Sequence, residues 1–298
     1  MKNLIVLVGP TGVGKTETSL NIAENFNIPI INADSRQIFS EIPIGTAAPT
    51  AEQQHRVKHF FVGNHSIKDY YSASLYEEDV LSVLNNLFIN SDIAMMCGGS
   101  MMYIDAVCNG IDDIPTVDDN TRMLMKRRLE EEGLPALVEE LKTLDHEHWA
   151  VVDRNNPRRV VHALEICHMT GRTYTSFRTN TRKQRPFNII KIALKREREE
   201  MYDRINRRVI KMLEYGLVDE ARRVYPLRQL NALNTVGYKE MFEHFDGKTT
   251  IDEAIFKIQS NSRRYCRKQL TWFKRDMDIK WFEPCNVKEI INYIENNR

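Results

Sequence analysis

Short apolar runs without interruption alternate along the chain with longer stretches in which apolar residues recur at helical spacing. Continuous aliphatic runs of this kind are typical of strands covered on both faces of a parallel sheet. They occur at 4–8, 28–32, 93–97 and 189–194. The intervening segments 15–26 and 76–90 carry the apolar spacing of amphipathic helices. Strands that alternate with helices predict a doubly wound α/β core.

The pattern changes between residues 111 and 185. This stretch contains no strand-like run, and its spacing predicts helices only, at 121–132, 134–144 and 157–170. After it, the strand at 189–194 returns to the core, followed by long helices at 198–225 and 250–274. We therefore predict a core formed by residues 1–110 and 186–298, with an all-helical insertion at 111–185.

Charge is distributed unevenly, although the net charge is only +1. Residues 105–153 carry thirteen acidic and five basic side chains, whereas residues 154–185 carry eight basic and one acidic. The C-terminal run SRRYCRKQLTWFKR adds six basic residues, no acid, and the aromatic residues Tyr265, Trp272 and Phe273. Two basic segments, one interleaved with aromatic rings, favour a nucleic-acid partner, although each segment alone could be a solvated helix face.

Composition excludes several classes of protein. With 42% hydrophobic and 28% charged residues, the chain is not of the disordered type. Its five cysteines form neither a CxxC pair nor a zinc-like cluster, which is typical of a reducing compartment. The N-terminal sequence MKNLIVLVGP has no signal-peptide architecture, and its apolar run is too short to cross a membrane. We expect a cytoplasmic protein without membrane association, and a monomer by default.

A phosphate-binding loop follows the first predicted strand. GPTGVGKT at 9–16 fits GxxxxGK[ST] and opens a helix, which is the context that this motif of nucleotide-binding proteins requires. The glycines allow backbone N–H groups to converge on phosphate oxygens, Lys15 neutralises charge, and the Thr16 hydroxyl suits Mg²⁺. The sequence thus predicts a P-loop NTPase-like core with Mg²⁺ as cofactor, but not whether a phosphoryl group is transferred, hydrolysed or released.

A run of polar residues ends the second predicted strand. In IPIINADSRQIF, Asp34, Ser35, Arg36 and Gln37 directly follow the apolar run. They could be the N-cap of the next helix, a role for which Asp and Ser are favoured. They could also form a site that accepts a proton at Asp34 and contacts a nucleobase through Ser35 and Gln37. The carboxyl edge of an open α/β sheet, where ligands bind, favours the second interpretation.

Eight motifs in order resemble those of the tRNA dimethylallyltransferase (isopentenyltransferase) family over essentially the whole chain. They are GPTGVGKT at 9–16, ADSRQIF at 33–39, IPIGTAAPT at 42–50, YSA at 71–73, GGSMMY at 98–103, NPRRVVHALE at 156–165, NTVGYKE at 234–240 and RKQLTWFKR at 267–275. The resemblance implies transfer of a dimethylallyl group from dimethylallyl diphosphate to N6 of adenosine 37 beside the tRNA anticodon, with release of pyrophosphate. It implies Asp34 as the proton acceptor, with Lys15 and Thr16 as further catalytic residues and Thr16 as the metal ligand.

The resemblance also implies two sets of binding residues. The diphosphate would be bound by Gly9, Pro10, Thr11, Gly12, Val13, Gly14, Lys15, Thr16 and Arg222. The tRNA anticodon stem-loop would be bound by Asp34, Ser35, Arg36, Gln37, Ser100, Arg122, Arg158, Arg159, His162, Asn234, Gly237, Tyr238, Lys239, Arg267, Lys268, Gln269, Thr271, Trp272 and Lys274. Ser100 stands where the family usually has Thr, and His162 where it often has Arg, which puts an RNA contact by His162 in doubt.

Three other functions fit parts of the pattern. A small-molecule kinase would use the phosphate loop but not the basic segments. A prenyltransferase acting on free AMP or ADP would not need the helical insertion, and a nucleotide-gated RNA-binding module would not need Asp34.

Overall fold

A parallel sheet lies at the centre of the computed structural model, which describes residues 1–179 and 181–298. Within those residues the sheet has six strands, in the order β3-β2-β4-β1-β5-β6. They are β1 (Asn3–Val8), β2 (Ile30–Ala33), β3 (His59–Phe60), β4 (Ile93–Gly98), β5 (Asn188–Leu194) and β6 (Lys280–Phe282). Every pair is parallel, and β1 lies between β4 and β5. The parallel α/β core expected from the apolar runs is therefore present.

Helices connect and follow the strands. In the first half of the chain they are α1 (Lys15–Phe26), α2 (Pro43–Thr46), α3 (Ala51–Arg56), α4 (Ala73–Asn90), α5 (Met101–Asn109), α6 (Asp119–Glu131), α7 (Gly133–Leu144), α8 (His146–Val151) and α9 (Pro157–Thr170). In the second half they are α10 (Arg198–Glu214), α11 (Leu217–Val224), α12 (Tyr238–Phe245), α13 (Ile251–Phe273) and α14 (Val287–Asn297). Of the helices in the described parts of the chain, none is long and apolar enough to cross a membrane.

Both faces of the sheet are buried, as continuous apolar strands require. Along β1, Leu4 and Val6 pack into one apolar cluster, whereas Ile5 and Leu7 pack into a second. Successive side chains of a strand point to opposite faces, so a strand covered on both sides must be apolar throughout. This explains why the core strands could be predicted from the sequence.

The predicted helix at 198–225 is two helices in the structure. α10 ends at Glu214 and α11 begins at Leu217, and Gly216 between them has φ +96°. A left-handed residue at that point ends the first helix and turns the chain. The short strands β3 and β6, at the two edges of the sheet, were not predicted because runs of two or three residues carry no measurable alternation.

The chain divides into two compact units. The larger contains Met1–Asn109 and Gln184–Arg298, and the smaller Gly110–Lys183 contains α6 to α9 around its own apolar cluster. The expected insertion, 111–185, ended two residues later than the smaller unit does. Arg185 belongs to the larger unit because its guanidinium forms a buried ion pair with Glu77 (2.6 Å) and donates to the backbone carbonyls of Ala106 and Val107.

Candidate active site

The phosphate loop connects β1 to α1, and its glycines adopt conformations that other residues rarely reach. Gly12 has φ +82° and Gly14 φ +113°. Lys15 Nζ donates to the backbone carbonyls of Gly9 (2.8 Å) and Pro10 (3.0 Å). Burial lowers the pKa of Lys15 to about 8, and the Asp34 carboxylate opposes that shift. The ammonium thus lies inside the loop, close to an acid.

Gln269 of α13 holds the loop against the end of β4. Its Oε1 accepts the N–H of Thr11 at 2.9 Å, and its Nε2 donates to the carbonyl of Gly99 at 2.8 Å. The side chain is 2% exposed. Both ends of the Gln269 amide are occupied by the backbone of the phosphate loop and of the β4 terminus, and its expected contact with tRNA stays a prediction.

Two arginines of α10 reach the same loop. Arg204 Nε donates to the carbonyl of Gly12 at 2.8 Å, and Arg208 donates to the Thr11 hydroxyl at 3.2 Å. Burial lowers the pKa of Arg208, and Asp34 opposes the shift. Neither arginine was identified from the sequence, although their spacing of four residues on the helix after the returning strand places both on one helix face.

Arg222, which we expected to bind the diphosphate, lies away from the phosphate loop. It is exposed on α11, and its guanidinium stacks over the ring of Phe245 at 4.5 Å. It is absent from the cavity that the loop lines. Arg208 of α10, which does line the cavity, contacts the phosphate loop through the Thr11 hydroxyl.

Asp34 caps a turn that follows β2, and no helix begins there. Its Oδ1 accepts the backbone N–H groups of Arg36 (2.9 Å) and Gln37 (3.4 Å). The next helix, α2, begins at Pro43. The helix N-cap interpretation is therefore replaced by an Asx-type turn. Among the described residues no donor is hydrogen-bonded to Oδ2, so this oxygen keeps its capacity to accept a proton.

Ser100 holds the Asp34 turn from the end of β4. Its hydroxyl oxygen accepts the N–H of Ser35 at 2.8 Å and donates to the Ser35 hydroxyl at 3.1 Å. Ser100 is buried and its hydroxyl positions the turn, while its expected contact with RNA stays a prediction. Tyr265 of α13 lies nearby, and loss of water around its oxygen, followed by the Asp34 charge, raises the pKa of Tyr265 to about 12. The sequence indicated this tyrosine only as one aromatic ring of the basic C-terminal run, and not as a neighbour of Asp34.

The loop, the turn and α13 line one cavity of about 1480 Å³. Its charged lining is mainly basic, since nine Lys and Arg side chains face three acidic ones. The basic residues are Lys15, Arg36, Arg204, Arg207, Arg208, Lys211, Lys239, Arg264 and Lys268, and the acidic ones are Glu17, Asp34 and Glu240. A cavity with this balance, within the larger unit, suits a polyanionic ligand.

Ten of the fifteen expected tRNA-binding residues of the larger unit line this cavity. They are Asp34, Ser35, Arg36, Gln37, Ser100, Asn234, Gly237, Lys239, Lys268 and Gln269. The others are Tyr238, Arg267, Thr271, Trp272 and Lys274, which the cavity lining does not include. The residues expected to bind diphosphate are divided in the same way, since Thr11, Gly12, Gly14, Lys15 and Thr16 line the cavity, whereas Gly9, Pro10 and Val13 are buried behind it.

The orientation of α13 about its own axis explains why Arg267 and Lys274 lie outside the cavity. Residues on a helix turn by about 100° each, so positions 267 and 274 are roughly opposite Tyr265, which lines the cavity. Arg267 donates to the hydroxyl of Tyr202 at 3.1 Å on that other side. Thr271 is likewise exposed and outside the cavity. Lys268, the adjacent residue, is the basic side chain of this motif that reaches the cavity.

Tyr238 and Trp272 lie outside the cavity lining because their rings pack into the core. Tyr238 has no exposed surface, and its hydroxyl donates to the carboxylate of Glu220 at 2.5 Å. Trp272 is half-buried and packs against the main apolar cluster. Both aromatic rings therefore stabilise the core, and their expected contacts with tRNA stay predictions.

The smaller unit carries the remaining candidates. Arg158 and Arg159 are exposed in the first turn of α9, and Arg122 lies in α6. His162, also exposed, lies 3.3 Å from the carboxylate of Glu165 through its Nδ1. The tRNA contacts of these four residues remain predictions.

The donor set at the loop fits Mg²⁺. Thr16 is exposed at the start of α1 and lines the cavity, and no described residue is hydrogen-bonded to its hydroxyl. The described residues include no cluster of three His, Cys, Asp or Glu that could bind a metal. The Thr16 hydroxyl and the Asp34 carboxylate line the same cavity. Such a small set of oxygen donors suits Mg²⁺, because this ion keeps several waters and takes its other ligands from substrate phosphates.

Comparison with known proteins establishes the family. A family model described as IPP transferase matches residues 37–276. The tRNA dimethylallyltransferase 1 of Phocaeicola vulgatus is 63% identical over 293 residues, which cover 98% of this chain and 98% of the relative. The enzyme of the same name from Bacteroides fragilis is 60% identical, over 99% of this chain and 98% of the relative.

A solved structure agrees with the sequence relatives. The crystal structure of the full-length tRNA isopentenylpyrophosphate transferase from Bacillus halodurans is 34% identical and has a TM-score of 0.73. The similarity covers 100% of this chain and 97% of that chain. The P-loop NTPase-like fold and the resemblance inferred from the sequence motifs are both confirmed, and the chain belongs to the IPP transferase family.

Proposed function

We propose that this protein transfers a dimethylallyl group from dimethylallyl diphosphate to N6 of adenosine 37 in tRNA and releases pyrophosphate. Family membership supports the reaction class. The observation that carries the proposal is that one cavity combines a phosphate loop with the carboxylate of Asp34. The first feature would bind a diphosphate leaving group, and the second would accept a proton from the attacking amine.

The donor side is formed by the phosphate loop and α10. The backbone N–H groups at the start of α1 would bind the diphosphate oxygens, as helix N-termini do for anions. Lys15 and Arg208 would neutralise the charge that develops as the allylic C–O bond breaks and its electron pair leaves with pyrophosphate. Lys15 now donates to two carbonyls of its own loop, so it must exchange these bonds for phosphate oxygens when the donor binds.

The acceptor side is formed by the turn after β2. The N6 lone pair attacks the electron-poor allylic carbon, and a new C–N bond forms. The amine then carries an extra proton, which Asp34 accepts through Oδ2, the oxygen that its own turn does not use. The Asp34 turn is held by Ser100, so the carboxylate is positioned before the substrate binds.

Mg²⁺ is the proposed cofactor, with the Thr16 hydroxyl as its protein ligand and the diphosphate supplying further oxygens. Its chemistry would be charge neutralisation of the departing pyrophosphate. The basic lining of the cavity and the exposed Arg158 and Arg159 of the smaller unit would bind the anticodon stem-loop through phosphates. Because a stacked base exposes N6 poorly, adenosine 37 would be flipped into the cavity.

The test is a product analysis with competing substrates. The protein is incubated with dimethylallyl diphosphate, Mg²⁺ and unmodified tRNA, and the nucleosides are analysed by mass spectrometry after digestion. We expect one five-carbon addition, on adenosine 37. Addition to free AMP with none on tRNA, or ATP-dependent phosphorylation without prenyl transfer, would overturn the proposal.

A further inference from the structure

Glu220 is a fully buried carboxylate, and all of its hydrogen bonds in the structure go to one short segment and one tyrosine. Its two oxygens accept the backbone N–H groups of Ile44 (2.9 Å) and Gly45 (2.8 Å) in α2. It also accepts the hydroxyl of Tyr238 at 2.5 Å. A buried charge is costly unless it is hydrogen-bonded, and here three donors converge on it. Glu220 and Tyr238 therefore fix the position of α2.

The contact between α2 and the Glu220–Tyr238 pair leaves no free space. A Cβ added to Gly45 would lie 2.5 Å from the Tyr238 oxygen, closer than any real contact. The Tyr238 oxygen also lies 3.2 Å from the carbonyl oxygen of Ile42, so the pair contacts α2 at its N-cap as well as at Ile44 and Gly45. Burial, reinforced by the charge of Glu220, raises the pKa of Tyr238, so the phenol keeps its proton and its role as a donor.

The other end of α2 orients the amide of Gln37. Gln37 Nε2 donates to the carbonyls of Thr46 (3.1 Å) and Ala47 (3.0 Å). Carbonyl oxygens only accept hydrogen bonds, so the nitrogen of the amide must face them. Both N–H bonds of Gln37 are thereby used, and no donor in the described residues is bonded to its Oε1. Gln37 lines the same cavity as Asp34, so the turn offers hydrogen-bond acceptors to a base.

We infer that Glu220 is a positioning residue that, through α2, fixes the Gln37 amide and thereby selects a 6-amino purine over a 6-oxo purine. Adenine presents N–H donors at position 6, which match the oxygens of Gln37 and Asp34. Hypoxanthine presents a carbonyl there, which those oxygens repel. The inference deepens the proposed function and rests on it, since it concerns the base that enters the acceptor side.

The experiment measures base discrimination rather than activity. Two anticodon stem-loop RNAs, identical except for adenosine or inosine at position 37, are titrated into the full-length protein in the presence of pyrophosphate. We expect the wild type to bind the adenosine RNA about tenfold more tightly than the inosine RNA. This factor corresponds to the loss of one hydrogen bond to a charged group, together with repulsion between the inosine carbonyl and the acceptor oxygens. In Glu220→Gln, the ratio of the two affinities should fall below about threefold. The two backbone N–H groups of α2 each need an acceptor oxygen, and the amide of Gln has only one.

Three further variants exclude a general loss of stability. Asp145→Asn is the matched control, since Asp145 is a buried carboxylate that also accepts two N–H groups and one hydroxyl, from His148 and Thr175. Its adenosine-to-inosine ratio should equal that of the wild type. Tyr238→Phe, which keeps both N–H bonds of Glu220, should lower the ratio less than Glu220→Gln does. In a Gln37→Ala background, Glu220→Gln should change the ratio by less than about twofold, because the residue on which it acts is absent.

The outcomes separate the inference from the proposed function. A wild-type ratio near one, or a Glu220→Gln ratio equal to the wild type, overturns the inference even when the wild type prenylates the adenosine RNA. An equal shift in the wild-type and Gln37→Ala backgrounds also overturns it, since Glu220 would then act without Gln37. Absence of prenyl transfer by the wild type overturns the proposed function instead.

Discussion

Replacing Gln269 by Leu should separate phosphate binding from RNA binding. The wild-type amide joins the N–H of Thr11 in the phosphate loop to the carbonyl of Gly99 at the end of β4. Leu has a similar volume and fills the buried site, but it can neither accept nor donate. The substitution therefore removes the link between loop and sheet without opening a large cavity.

The cost follows from the two backbone groups that lose a partner. A buried group left unpaired costs about 1–3 kcal/mol. Thr11 and Gly99 both line the cavity, so water can replace part of each lost hydrogen bond, and the cost of each lies toward the lower end of that range. We expect a loss of about 2–4 kcal/mol in the free energy of unfolding. At ~2–4 °C per kcal/mol for domains of this size, the Tm should fall by roughly 4–16 °C.

The assay compares unfolding with two binding measurements, all made well below the Tm of the variant. Affinity for inorganic pyrophosphate should fall about tenfold, because the Thr11 N–H is no longer held in place. Affinity for tRNA alone should stay within about twofold, since Gln269 reaches no solvent-exposed surface. Thr271→Leu, two residues further along α13 and exposed, is the control and should shift neither stability nor affinity. A variant that lost tRNA affinity but kept pyrophosphate affinity would restore Gln269 as an RNA contact and refute this reasoning.

The remaining predictions concern the charged residues of the cavity. Burial lowers the pKa of Lys15 to about 8 in the free enzyme. A bound diphosphate favours the charged ammonium and raises the pKa of Lys15 again. Pyrophosphate binding should therefore take up a proton above pH 8, and the affinity should weaken as the pH rises further. Calorimetry in buffers of different ionisation enthalpy measures this uptake, and zero uptake at pH 8.5 would show that Lys15 is already charged there. Lys268→Ala should weaken tRNA binding and flatten its salt dependence, whereas Arg267→Ala should change neither by more than about twofold. A larger effect of Arg267→Ala than of Lys268→Ala would place the RNA on the other side of α13. Arg208→Gln should weaken pyrophosphate binding about 10- to 100-fold and Arg222→Gln less than twofold, and equal losses would show that Arg222 also reaches the ligand.

The strands and the phosphate loop could be predicted because each depends on a local rule. Parallel strands covered on both faces must be apolar throughout, and the loop between β1 and α1 needs glycine at its left-handed positions. Asp34 was likewise found from position alone, because the carboxyl end of a core strand is where ligands bind in such sheets. These signals involve residues close together in the chain.

The partners of these residues could not be predicted, because they depend on which face of a distant helix meets the loop. Gln269, Arg208 and Glu220 lie far from the phosphate loop and α2 along the chain, and only packing brings them there. The motif RKQLTWFKR shows the difficulty most clearly. Its residues were assigned together to RNA binding, whereas α13 turns Lys268 toward the cavity, Gln269 toward the loop and Arg267 toward Tyr202.

The most direct test of the mechanism is the single-turnover rate of prenyl transfer by Asp34→Asn, measured with saturating dimethylallyl diphosphate and tRNA. Asn keeps an oxygen that can cap the turn, but it cannot accept a proton. Asp203→Asn, an exposed carboxylate on α10, is the control. The account predicts tRNA and diphosphate affinities within about threefold of the wild type and a rate lowered by about 10²- to 10⁴-fold. A variant that turns over at nearly the wild-type rate would contradict the assignment of Asp34 as the proton acceptor.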